Sequence, residues 1–251
     1  MNGELFDSTI SVDEPELLRV SAFRTYLDEL NADTAHSGTS SRVSTLSPSL
    51  QADLQRFKRD GGTTEPVEVV AACLRHAKKV TIYFQCADKV IPLTVFPQER
   101  LVHCPVDMLV LIEQYLPLLR VMQVEPALLR PPGDPESALV GEAKLHHPLG
   151  PLVWELAMRG SRRELLPEIA GPAAYRVAPA LDVDTLPVSG VMRVAIQRLR
   201  QRTANLNEIS SWPAFDRERA ARLLNALYLS AGLIVSRSHP KALRETWFGG
   251  L

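Results

Sequence analysis

Aromatic residues make up only 6% of this chain, and just three cysteines occur in its 251 residues. With so few rings available, the interior must be built mainly from Leu, Val, Ala and Ile. Cys73, Cys86 and Cys104 are odd in number, and the chain is too long to depend on disulfide staples. A reducing compartment follows. No apolar run approaches the roughly 18 residues that cross a bilayer. The start, MNGELFDSTISVDEPELL, has neither the basic opening nor the apolar stretch of a signal peptide. These features predict a cytoplasmic protein with no membrane insertion.

The signatures of common catalytic and nucleotide sites are missing too. There is no G-x-x-x-x-G-K-[ST], no G-x-G-x-x-G, no G-x-S-x-G and no H-E-x-x-H. The sequence therefore offers no catalytic residue and no cofactor site, and the expectation is a protein that is not an enzyme.

What is present is an ordinary globular composition, 45% apolar and 23% charged, with a formal charge of −1. That balance argues against a surface wholly given to nucleic acid or anionic lipid. The charge is unevenly placed: residues 186–251 carry ten basic and four acidic groups, so the remainder of the chain is acidic. This asymmetry suggests a local anionic partner or a dock against the chain's own acidic part.

Residues 1–32 read as an N-terminal amphipathic helix, with Leu17, Leu18, Phe23, Tyr26, Leu27 and Leu30 at helical spacing after Pro15. Residues 33–49 are small and polar and read as a flexible linker. The helix is thus a candidate docking segment through Leu18, Phe23, Tyr26 and Leu30. Residues 50–130 predict an α+β domain. A helix from Ser49 through Phe57 ends at Gly61-Gly62, and a second, capped by Thr63-Thr64, runs from Glu65 to about Lys78. VTIYFQ, VIPLTVF and RLVHC follow as an antiparallel meander, with Pro92 marking a bulge or an edge. Pro105 to Tyr115 predicts a helix and Arg120 to Val124 a fourth strand.

RPPGDPES, at residues 130–137, reads as a domain break, and 138–251 as a mainly helical, winged-helix-like domain. In it Pro148 to Gly160 is a helix, followed by an irregular, proline-rich connector. Val188 to Gln201 is a helix with Ser189 as its cap, Val191, Val194, Ala195 and Leu199 inward, and Arg193, Arg198, Arg200 and Arg202 outward. Asp216 caps a further helix that Gly232 stops, and LIVSR is a strand.

The sequence of helix, short helix, longer helix and strand matches a helix-turn-helix with a wing. Arg217, Arg219 and Arg222 then stand on the exposed N-terminal face of the third helix. DNA is one candidate partner for those arginines. Glu218 among them, and a long turn at Trp212-Pro213, favour a protein partner instead.

The metal candidates are Cys73 and His76, at i,i+3 on one helix face, together with Cys86 and the adjacent His103-Cys104. Zinc takes thiolate and imidazole ligands, but this spacing matches no finger pattern, and buried cysteines serve as small hydrophobes. No metal is expected. His146-His147 reads as a surface loop, since adjacent side chains diverge and no carboxylate partner follows. Arg162-Arg163 has the forks to meet a phosphate, but reads as a solvated helix end.

The segment VEVVAACLRHAKKVTIYFQCADKVIPLTVFPQERLVHC, Val67 to Cys104, resembles the PATAN (DUF4388) modules of bacterial signalling proteins, with a helix ahead of strands, a turn and a short closing strand. It departs from them at Lys78-Lys79 and Pro97-Gln98-Glu99, where glycine-rich turns are usual. The resemblance implies a non-enzymatic adaptor or output domain, of the kind linked to response regulators, small GTPases and surface motility. It carries no catalytic residues. A cytosolic signalling adaptor is the expected function, with a DNA-binding regulator as the alternative and a zinc protein or enzyme behind both.

Overall fold

In the computed structural model, residues 17–36, 46–59, 65–133, 142–188 and 190–243 are described. The fold is α+β, with a five-stranded antiparallel sheet, a three-stranded one and helices packed around them. Among the described residues, no helix is long and apolar enough to cross a membrane.

The first helices are α1 (Val20–His36), α2 (Pro48–Arg59) and α3 (Pro66–Arg75). α3 opens with Pro66 in its first turn, where a missing N–H costs nothing. It closes with Ala77 in the left-handed region (φ 49°), while Lys78 N donates to Cys73 O and Ala77 N to Leu74 O. Those paired bonds consume carbonyls that would otherwise be orphaned at the helix end. The expected stop at Gly61-Gly62 and the Thr63-Thr64 cap lie outside the described residues.

The meander forms as β1 (Val80–Cys86), β2 (Lys89–Phe96) and β3 (Leu101–His103). Val80, Ile82 and Phe84 alternate with Thr81, Tyr83 and Gln85, and the first set belongs to the main core. Cys86 pairs with Lys89 across a two-residue turn, which makes Tyr83 and Pro92 a non-hydrogen-bonded pair. The Pro92 nitrogen therefore faces away from β1, along the half of β2 that β3 does not reach, since β3 pairs only with Thr94 to Phe96. Proline is tolerated there because that half is an edge.

Asp107 caps a helical stretch by accepting from the amides of Leu109 and Val110. The stretch runs as α4 (Met108–Val110), a π turn (Leu111–Tyr115) and a 3-10 turn (Leu116–Leu118), so it starts three residues later than the periodicity predicts. β4 (Arg120–Pro126) returns beside β1 with a register shift at Tyr83/Phe84. The sheet order is β4-β1-β2-β3-β5.

β5 (His146–Pro148) corrects the reading of His146-His147 as a surface loop: His146 pairs with His103 and His147 with Val102. Two histidines carry no strand signature, and only the free edge of β3 recruits them. α5 (Leu149–Arg159) follows, burying Leu149, Leu152, Val153, Trp154, Leu156 and Ala157.

β6 (Ala174–Val177) forms inside the connector expected to be irregular and takes the centre of the second sheet, between β7 (Ala204–Asn205) and β8 (Leu233–Ser236). α6 (Gly190–Gln201), α7 (Leu206–Ser210) and α8 (Arg217–Leu229) lie between these strands in sequence. Asn205 and Glu208 form a reciprocal capping box on α7, and Asp216 accepts from the Arg219 amide at 2.7 Å to cap α8. A short α9 (Pro240–Leu243) ends the described chain. Ser189, expected to cap α6, lies outside the described residues.

Two expectations change here. α8 ends at Leu229, and the left-handed residue that turns the chain after it is Ala231 (φ 57°), not Gly232. Gly232 is needed for a different reason: a Cβ there would lie 2.5 Å from Leu181 Cδ2. On α6 the buried stripe is Ala195, Ile196 and Leu199. Val191 and Val194, expected inward, are 44% and 68% exposed. Both stripes have helical period, and the neighbours on β6 select the one containing Ile196 and Leu199.

One contiguous cluster of buried residues runs from Leu50 through both sheets' helices to Leu229, with α5 packed on α3 and on α8. A smaller cluster of Val20, Phe23 and Val90 holds α1 on the outer side of the first sheet.

Candidate functional site

The docking-helix residues separate on α1. Main-chain bonds from Val20 N to Asp88 O and from Val90 N to Leu18 O, both 2.8 Å, pin its start to the β1–β2 turn. Phe23 is 2% exposed and its ring lies 4.7 Å from that of Tyr83. Leu18 and Tyr26 are 59% and 49% exposed. The Leu30 side chain lies outside the described residues.

The metal candidates do not converge. Cys73, Cys86 and Cys104 are free and buried. Burial pushes the Cys73 thiol up to about 12, that of Cys104 up to about 11, and that of Cys86 upward as well. His76 turns instead to Asp53, Nε2 to Oδ2 at 2.6 Å, and to Ser49 through Nδ1 at 3.2 Å. Arg75 pairs with Asp53 and Glu168, so this cluster ties α2 and α3 to the segment after α5. Burial alone would raise the Asp53 carboxyl, but hydrogen bonds from His76 and Arg75 outweigh it and hold it below the usual range. Among the described residues, no group of three or more His, Cys, Asp and Glu stands ready to hold a metal ion.

Arg162 is anchored, not solvated: it meets Glu65, Glu68 and the carbonyl of Leu165. Arg163 is exposed and lies 3.9 Å from Glu218.

The arginines of the C-terminal helices fall into two groups. On α8, Arg222 turns inward. Its side chain is 15% exposed, pairs with Glu218 at 3.0 Å, and donates to the carbonyls of Met158 and Gly160 at the end of α5. This corrects its expected place on an exposed face; the charge offsets the negative end of a helix dipole. Arg217 and Arg219 remain exposed and bond Asn207 Oδ1 and Ala214 O. From Ala220 to Leu229 every residue except Arg222 and Tyr228 is buried.

On α6 the arginines surround a groove of about 630 Å³. Arg193 pairs with the exposed Asp184 at 2.7 Å. Arg198 lies over the Trp212 ring at 4.6 Å, and Arg200 donates to Leu181 O at 2.5 Å. Arg202 is exposed just beyond the helix. The outward Val194 stands among them, which the sequence periodicity had assigned to the core.

No family model, curated protein or solved structure matches this chain. The α6 surface combines cations and exposed apolar groups.

Proposed function

We propose that this chain is a non-catalytic regulatory adaptor of bacterial cytosolic signalling that acts by docking partner proteins. The observation that carries this reading is the burial of α8 from Ala220 to Leu229. A helix that reads base edges must present side chains to a groove. α8 is instead packed on α5, and Arg222, central to its expected basic face, is consumed as a cap on α5. The exposed apolar positions Val191 and Val194 sit instead on α6, amid arginines, as in the anchoring centre of a protein interface. The resemblance of Val67 to Cys104 to PATAN modules points the same way.

The basic segment 186–251 keeps a DNA-binding regulator as the second reading. Affinity capture with the full chain, with and without nuclease, separates the two. The adaptor reading expects a stoichiometric protein partner retained after nuclease treatment. It is overturned if every retained protein is lost with the nucleic acid, or if a DNA duplex binds with an affinity that collapses in Arg217→Ala/Arg219→Ala.

A further inference from the structure

We infer that the groove along α6 receives an acidic amphipathic helix of a partner protein. This rests on the adaptor reading and names the partner's chemistry.

The groove is lined by Val183, Val194 and Ile196 and by Arg193, Arg198 and Arg200, with no acidic side chain among its described lining residues. At 100° per residue, Val194 and Gln201 form the crest of α6's outer side. Arg193 and Arg200 flank the crest on one side and Arg198 on the other. Arg193 and Arg200 are seven residues apart, two turns or about 10.5 Å along the axis. A partner helix repeats its own side chains at that interval. Glutamates at its i and i+7 positions meet Arg193 and Arg200, and an apolar residue between them covers Val194, now 68% exposed.

The cations are held in place before any partner arrives. Arg198 is stacked on Trp212 and Arg200 is tied to the Leu181 carbonyl, so little rotamer freedom remains to be lost on binding. Arg193 is held by the Asp184 pair, whose members are 52% and 83% exposed, and by a long bond of 3.4 Å to the Val188 carbonyl. Such a pair is weak in water and exchanges readily for an incoming carboxylate. A phosphate backbone would satisfy the arginines but gain nothing from Val194, so the exposed Val194 distinguishes a protein helix from nucleic acid.

The test uses the full chain and a fluorescent synthetic peptide of about 16 residues, with leucines along one face and glutamates on both flanks. A second peptide has the same composition in scrambled order, and a third probe is a DNA duplex. Anisotropy should show salt-sensitive binding of the first peptide, at least about tenfold tighter than the scrambled one. Val194→Glu, on an exposed helix position, should weaken binding about tenfold with an unchanged melting curve, and Arg198→Glu should also weaken it. The inference is overturned if the two peptides bind equally, if Val194→Glu binds as the parent does, or if the duplex displaces the peptide at about 150 mM salt. A nuclease-resistant partner retained equally by the parent and Val194→Glu would overturn the groove and leave the adaptor reading standing. Loss of every protein partner from the parent would defeat the adaptor reading itself.

Discussion

Arg222 and Gly160 lie 62 positions apart, yet the guanidinium of the first donates to the carbonyl of the second at 2.9 Å. The same Nη1 reaches Met158 O at 2.8 Å, so one α8 side chain closes the end of α5. Arg100, from the turn before β3, donates to Leu229 O and does the same for α8. The two sheets are thus joined through α5 and α8 by arginines on helix ends.

Arg222→Ala should destabilise the chain by about 2–3 kcal/mol, because charge-assisted bonds are lost and helix-end carbonyls are left buried. Arg222→Lys should recover only part of this, since an ammonium cannot reproduce the planar fork. Urea unfolding checks both; a variant with the parent's midpoint refutes the role.

His103 predicts an acid-sensitive sheet. Burial, with His146 and His147 nearby, holds its imidazole below the ordinary 6.5, while Glu142 opposes weakly. The unfolded chain therefore takes up this proton first. The site's contribution is complete above the unfolded value and is lost progressively as pH falls from it towards the folded one. Urea unfolding at about pH 7.5 and about 5.5 should show this loss, and His103→Gln should reduce it. An equal loss in the variant contradicts the assignment.

All three thiols should be silent in the folded protein. With Cys73 at about 12 and Cys104 at about 11, a disulfide reagent at about pH 8 should find no rapid reaction, because the thiolate is the nucleophile. In denaturant all three should react. Rapid modification of the native chain would show a reactive site where a core is expected.

Phe23→Ala should free α1 without unfolding the rest. Phe23 packs in a cluster separate from the main core. Amide protection over residues 20–36 should therefore vanish while global stability changes by less than about 1 kcal/mol. Leu18→Ala, at a 59% exposed position, should leave protection intact. A large global loss after Phe23→Ala would instead make α1 part of the core.

Local signals carried much of the fold into the sequence. Two-residue alternation marked β1 and β2, and Asp216 announced α8, because each depends on neighbours within a few positions. The candidate site was less legible. Val194 has the spacing of a core residue, and nothing local says that Ile196 takes that place instead. Arg222 looked like Arg217 and Arg219, and what separates it is the end of α5, more than 60 positions away in the chain.

The sequence by itself determined the α+β class, the helices flanking the meander, and a basic C-terminal segment in an otherwise acidic chain. Composition, period and capping residues suffice for these. Only the tertiary structure decided that His146-His147 becomes a strand, that β6 lies between β7 and β8, and that α8 is buried from Ala220 onward, with Arg222 turned inward, while α6 turns Val194 to solvent. Each of these turns on which surface covers which, and burial is set by distant segments that no local pattern encodes.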